Sequence, residues 1–230
     1  MQTTTLWDFP SRTYGPGRQG DDQYAGATPS HVIWNLLHRY TRPADLVVDP
    51  MCGSGTTLDV ARDLGRRGLG YDLQPQRRDI YKADARKLPL EDGKADFVFV
   101  DPPYSTHLRY SGQESCVGEL DAHDPGYFAA MDTVFGELHR ILHADRALAV
   151  YVGDTWDQKR GFVPIAFRLL GLLEKRFTPL DVIAVRRHNQ SLRRPEYHRA
   201  AREQGFFLRG FQYLLLCAKG DPRRHLADRP

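Results

Sequence analysis

The sequence predicts an α/β fold: one domain built on a mostly parallel, seven-stranded sheet with helices on both faces. Three observations point to it. Short apolar runs such as "DLVVD" at 45–49 and "FVFV" at 97–100 alternate along the chain with segments of helical periodicity. The first run passes into a glycine turn, "PMCGSGTT" at 50–57, and then into a helical pattern, the order in which parallel strands are connected. The 230 residues are 41% hydrophobic and contain no internal repeat or low-complexity tract, which suits a single core.

The elements follow in order. Residues 1–27 lack periodicity and read as an extended arm, with Trp7, Phe9 and Tyr24 able to pin it to the body. Thr28 is placed as a helix N-cap with Pro29 at the first helical position, and "SHVIWNLLHRY" continues as about three turns. The strand at 45–49, the glycine turn and a helix ending near Gly68 form the first unit. Strands follow near 69–73, just before Asp84, and at 96–101, then a helix at 126–143 and a strand at 147–152. A helix at 164–175 and strands at 181–186 and 211–217 complete the series, and 221–230 reads as a tail. The stretches 105–125 and 186–209 are polar, aperiodic and longer than ordinary connections, which marks them as substrate-facing loops.

Composition excludes several classes. No apolar run approaches the length of a membrane span, and "MQTTTLWDFP" has no basic region before an apolar stretch, so a cytoplasmic protein is expected. The three cysteines show no C-x-x-C spacing, so neither a disulfide framework nor a metal cluster is expected. The net charge of +3 conceals a basic stretch, 186–203, that carries six arginines.

The glycine turn narrows the ligand. A phosphate-binding loop needs a Gly-Lys-Ser/Thr ending, which is absent, and a dinucleotide fingerprint needs a third glycine where Leu58 stands. An acid, Asp49, opens the turn instead, and Asp72 ends the next strand, where a carboxylate can accept hydrogen bonds from ribose hydroxyls. A nucleoside bearing positive charge suits these groups, and S-adenosylmethionine is such a ligand. Its expected contacts are Pro50, Cys52, Gly53, Ser54, Gly55 and Thr56 in the turn, with Gly53 and Gly55 admitting close approach. Asp84 is placed to accept from the adenine amine, and the amides of the helix that opens at Thr28 and Pro29 to donate to the carboxylate.

"DPMCGSGTT" at 49–57 together with "DPPY" at 101–104 resembles the S-adenosylmethionine-dependent methyltransferases that modify exocyclic amines of nucleic-acid bases, above all the DNA adenine-N6 and cytosine-N4 enzymes. "FQYLLLCAKG" at 211–220 is similar to that family's closing strand. The resemblance implies a Rossmann-like methyltransferase domain over 28–220, cofactor contacts from Asp49, Gly53, Gly55, Asp72 and Asp84, and a catalytic segment of Asp101, Pro102, Pro103 and Tyr104. An exocyclic amine is a poor nucleophile because its lone pair is delocalised into the ring. Two acceptors, the Asp101 carboxylate and the Pro102 carbonyl, would draw its hydrogens out of plane, and prolines hold those acceptors in place before the substrate arrives. Tyr104 gives the extruded base a stacking surface. Carbon methylation of cytosine would need an attacking thiolate, and no cysteine stands at this segment.

Double-stranded DNA is therefore the expected partner, with phosphate contacts from Arg187, Arg193 and Arg194 and further contacts from Trp156 and His107. Sequence reading is left to the loops or to a homodimer. "DPPY" is commoner among adenine enzymes, which tilts the reading to adenine N6 over cytosine N4. Two alternatives stay open: an RNA base methyltransferase, since the same motifs resemble tRNA guanine-N2 enzymes, and a non-catalytic nucleic-acid-binding subunit.

Overall fold

The structure is a computed structural model, and it describes residues 1–9, 11–15, 17–21, 27–104, 112, 116–189 and 192–221. In chain order the first elements are β1 (Leu6–Trp7), α1 (Ser30–Tyr40), β2 (Leu46–Asp49), α2 (Thr56–Asp63), β3 (Arg67–Asp72), β4 (Ile80–Lys82) and β5 (Ala95–Val100). They are followed by a short 3-10 turn (Val117–Glu119), α3 (Pro125–Ile141), β6 (Leu142–Val152), β7 (Thr155–Asp157), β8 (Gly161–Val163), α4 (Ile165–Leu173), β9 (Thr178–Arg186), α5 (Pro195–Gln204) and β10 (Phe211–Ala218).

Eight strands form the main sheet in the order β1-β9-β10-β6-β5-β2-β3-β4. They are the seven read from the sequence and β1, which the arm adds at one edge by pairing parallel to Ala184 and Val185 of β9. Every neighbouring pair is parallel except those of β10, which runs antiparallel to both β6 and β9. Alternation along each strand divides the core in two. Val98 and Val100 of β5 face α3 and α4 with Met131, Phe135, Leu138 and Leu169, while Phe97 and Phe99 face α1 with Ile33, Leu36 and Leu37. Trp7 and Phe9 are buried in the second layer, so the start of the arm is part of the core, while Tyr24 lies outside the described residues.

Some boundaries depart from expectation. The helix after the glycine turn ends at Asp63 rather than near Gly68, because Gly65 takes a left-handed φ of 69° and Arg67 already pairs as β3. β7 and β8 form a small hairpin closed at Gly161, with Trp156 opposite Phe162. Within the arginine-rich stretch, 195–204 is a helix in which only Ala201 is buried. The stretch is not one patch: Arg186 pairs with Asp8 of the arm at 2.9 Å, whereas Arg187 lines the cleft described next.

Candidate active site

A cleft of about 600 Å³ lies over the carboxyl ends of β2, β3, β5 and β6, the position at which open α/β sheets bind ligands. Asp49, Asp72 and Asp101 stand at or immediately after the last residues of β2, β3 and β5, so the strand register sets their spacing. The cleft is lined by Thr28, Asp49, Pro50, Cys52, Gly53, Ser54, Thr56, Asp72 and Asp84, and also by Asp101, Pro102, Pro103, Tyr104, Trp156 and Arg187. The turn and the DPPY segment therefore share one cavity.

At its floor, Asp49 is 3% exposed and accepts hydrogen bonds from the Thr57 hydroxyl at 2.5 Å and the Met51 amide at 3.1 Å. Among the described residues no cation pairs with it, and burial pushes its pKa up to about 7. Asp72 accepts from the Gly53 amide at 3.0 Å and the Gln74 amide at 2.9 Å, which ties the glycine turn to the end of β3. Asp84 is held by the Arg86 guanidinium at 2.5 Å, and that hydrogen bond keeps its carboxyl below the usual range.

Asp101, the first residue of the DPPY segment, is partly buried, and desolvation pushes its pKa up to about 7. The Thr28 hydroxyl donates to its Oδ2 at 2.6 Å and partly opposes the rise. Thr28 is thus not the N-cap of α1. That position falls to Pro29, which makes no side-chain cap and does not line the cleft, and the Ser30 amide is already bonded to the Arg12 carbonyl at 2.9 Å. Tyr104 is fixed from two sides. Gln212 Nε2 donates to its hydroxyl at 3.2 Å while Gln212 Oε1 accepts from the Tyr151 hydroxyl at 3.0 Å. Gly153 lies against the ring so closely that a Cβ there would come within 2.9 Å of the Tyr104 oxygen.

Other expected site residues sit elsewhere. Gly55 does not line the cleft: it caps α2 with a left-handed φ of 78°, and Arg77 crosses the space a Cβ would fill. Arg77 donates to the Ser54 and Gly55 carbonyls at 3.2 and 3.3 Å and pairs with Asp59 and Asp79 at 2.8 and 2.6 Å, which locks the turn from outside. Arg193 and Arg194 are exposed just before α5 and away from the cleft. His107 lies outside the described residues. Trp156 lines the cleft with Phe206 stacked on it, ring centroids 4.0 Å apart. Among the described residues no group of His, Cys, Asp or Glu is arranged to hold a metal, and no helix is long and apolar enough to cross a membrane.

The sheet order, the reversed β10 and the cleft over the carboxyl ends define a Rossmann-like methyltransferase fold. Two solved structures share it at identities that show the fold alone. The [4+2]-cyclase SpnF is 16% identical, with 90% of this chain and 88% of that one covered, at a TM-score of 0.55. Geranyl diphosphate methyltransferase in complex with SAM is 16% identical, with 83% and 85% covered, at a TM-score of 0.52.

Residues 1–83 match the N6_N4_Mtase family, described as "DNA methylase". The Type II methyltransferase M.MthZI of Methanothermobacter thermautotrophicus is 34% identical over 59 residues, 26% of this chain and 17% of that protein. The Type II methyltransferase M.ScaI of Streptomyces caespitosus is 32% identical over 91 residues, 37% of this chain and 30% of that protein. Over its first 83 residues the chain is thus similar to DNA methylases of the amino-group family. The aligned parts span less than a third of those relatives' lengths, and the family match ends before Asp101.

Proposed function

We propose that the chain transfers a methyl group from S-adenosylmethionine to the exocyclic amine of a base extruded from duplex DNA, with adenine N6 favoured over cytosine N4. The supporting observation is that a partly buried carboxylate followed by two prolines and an anchored tyrosine lines the same cleft as the turn 49–57.

The residues present fit the cofactor. Asp49, buried without a cationic partner among the described residues, regains its charge beside a positive group, and the Asp72 and Asp84 carboxylates suit ribose and amine donors. When bound, S-adenosylmethionine supplies an electrophilic methyl group on a sulfonium. Thr28 occupies Oδ2 of Asp101, which leaves Oδ1 to accept one amine hydrogen, and the Pro102 carbonyl takes the other. With its pKa near 7, Asp101 also accepts the proton that the amine sheds as the new N–C bond forms. Tyr104, fixed by Gln212 and Gly153, is the ring on which the base stacks. Arg187 in the cleft and Arg193 and Arg194 beyond it meet phosphates.

The test incubates the chain with labelled cofactor and duplex DNA, single-stranded DNA or transfer RNA, digests the product to nucleosides and identifies the modified one by mass. Methylated adenine or cytosine from DNA is expected, and its absence with Asp101→Ala. A modified nucleoside from RNA alone would transfer the reading to the RNA enzymes, and no product from any substrate would leave a binding subunit.

A further inference from the structure

Trp156 is the aromatic residue the sequence offers for contact with DNA, but Phe206 covers its ring, at an interplanar angle of 17°. Its neighbour has the opposite character. Phe207 lines the cleft and yet is 85% exposed, so its ring stands on the rim. Single exposed apolar side chains are ordinary on a protein surface, but this one is presented by an anchored segment. Arg209 Nε and Nη2 both donate to the Phe207 carbonyl, at 3.1 and 2.7 Å, and the same guanidinium lies 5.1 Å from the Phe162 ring centroid. On the other side, Phe206 is held by its stack on Trp156, and Gly205 turns the chain out of α5 with a φ of 68°. Arg187 and Arg209 line the same cleft. An exposed apolar ring on an anchored backbone, with guanidinium groups beside it, matches a surface that enters a base stack while its cations meet the phosphates.

We propose that Phe207 is a wedge that inserts into duplex DNA beside the target base and fills the space left when that base turns into the cleft. The proposal rests on the DNA-methylation reading above and adds the device that makes a paired base accessible. It assigns Trp156 a different duty: with Phe206 it is the foundation that keeps the wedge erect.

The test measures initial methylation rates on one DNA as duplex and as separated strands, for the unaltered chain, Phe207→Ala and Phe207→Leu. Thermal denaturation verifies folding, which an exposed side chain leaves intact. Phe207→Ala is expected to lower the ratio of duplex rate to single-strand rate by about tenfold or more, because only paired bases need the wedge. Phe207→Leu keeps an apolar projection, so its ratio falls by under about threefold. An unaltered ratio, or equal falls on both substrates, overturns the wedge and leaves methylation standing. If equal falls accompany a change from dimer to monomer in sedimentation, the ring belongs instead to a contact between copies of the chain. An unaltered chain that methylates neither substrate overturns the methylation reading and the wedge with it.

Discussion

Thr28→Val is nearly isosteric and removes one atom of consequence, the hydroxyl bonded to Asp101 Oδ2 at 2.6 Å. Hydrogen bonds to charged groups contribute about 1.5–3 kcal/mol, and about 1.4 kcal/mol of differential stabilisation corresponds to one pH unit in a titration. Part of the bond survives when the carboxyl is neutral, so its loss raises the Asp101 pKa from about 7 by about one further pH unit. The sign is fixed by the required form. In the proposed mechanism Asp101 holds the amine and takes its proton as a carboxylate, so kcat/KM climbs as pH passes through its pKa, and the variant climbs later. Near neutrality the variant is slower by about fivefold, and the two profiles converge in base. Thr28→Ser retains the hydroxyl and the original midpoint. The assay is kcat/KM for methyl transfer across pH, with denaturant unfolding beside it. An unmoved midpoint, with a stability loss of about 1 kcal/mol as the main effect, would refute the reasoning and leave the Thr28 hydroxyl a structural contact alone.

Three other outcomes are expected. Gly153→Ala places a methyl within 2.9 Å of the Tyr104 oxygen and displaces the ring, so methyl transfer falls about ten- to hundredfold while calorimetry finds the cofactor dissociation constant unchanged. Arg77→Ala releases two carbonyls and two carboxylates around the glycine turn and lowers unfolding free energy by about 1–3 kcal/mol, read from urea denaturation, with weaker cofactor binding alongside. Asp49 and Asp101 both titrate in the folded chain near 7 rather than at 3.8, so the native state holds more protons between those values. Their contribution to stability therefore declines as pH rises from about 4 to 7 without cofactor, and Asp49→Asn with Asp101→Asn flattens that decline in urea midpoints.

Much of the floor of the candidate site was legible because its residues are local in sequence: a strand that ends in Asp49, or just before Asp101, carries its acid to the carboxyl end of the sheet without further information. Contacts between distant residues were not legible. Thr28 and Asp101 are 73 positions apart, and Tyr104 and Gln212 are 108 apart, so neither pairing leaves a periodic or motif signal. A Ser/Thr-Pro pair before an apolar helix satisfies the capping rule by pattern, and the Asp101 carboxylate won the hydroxyl by proximity. Gly53 and Gly55 look equivalent in the sequence. Only Arg77, from beyond β3, separates the glycine that faces the cleft from the one that faces a guanidinium. The arm lacked periodicity because two residues of strand are too few to show one.

Those two residues govern how the molecule behaves in company. A sheet margin with unmet amides and carbonyls is a template on which other chains can pair. On β9, Pro179 lacks an amide to offer and Asp181 adds charge, whereas β1 covers Ala184 and Val185. Deleting the first nine residues would strip that cover and bare the apolar seat of Trp7 and Phe9, and the shortened chain should precipitate or stack edge to edge well before its catalytic groups are disturbed.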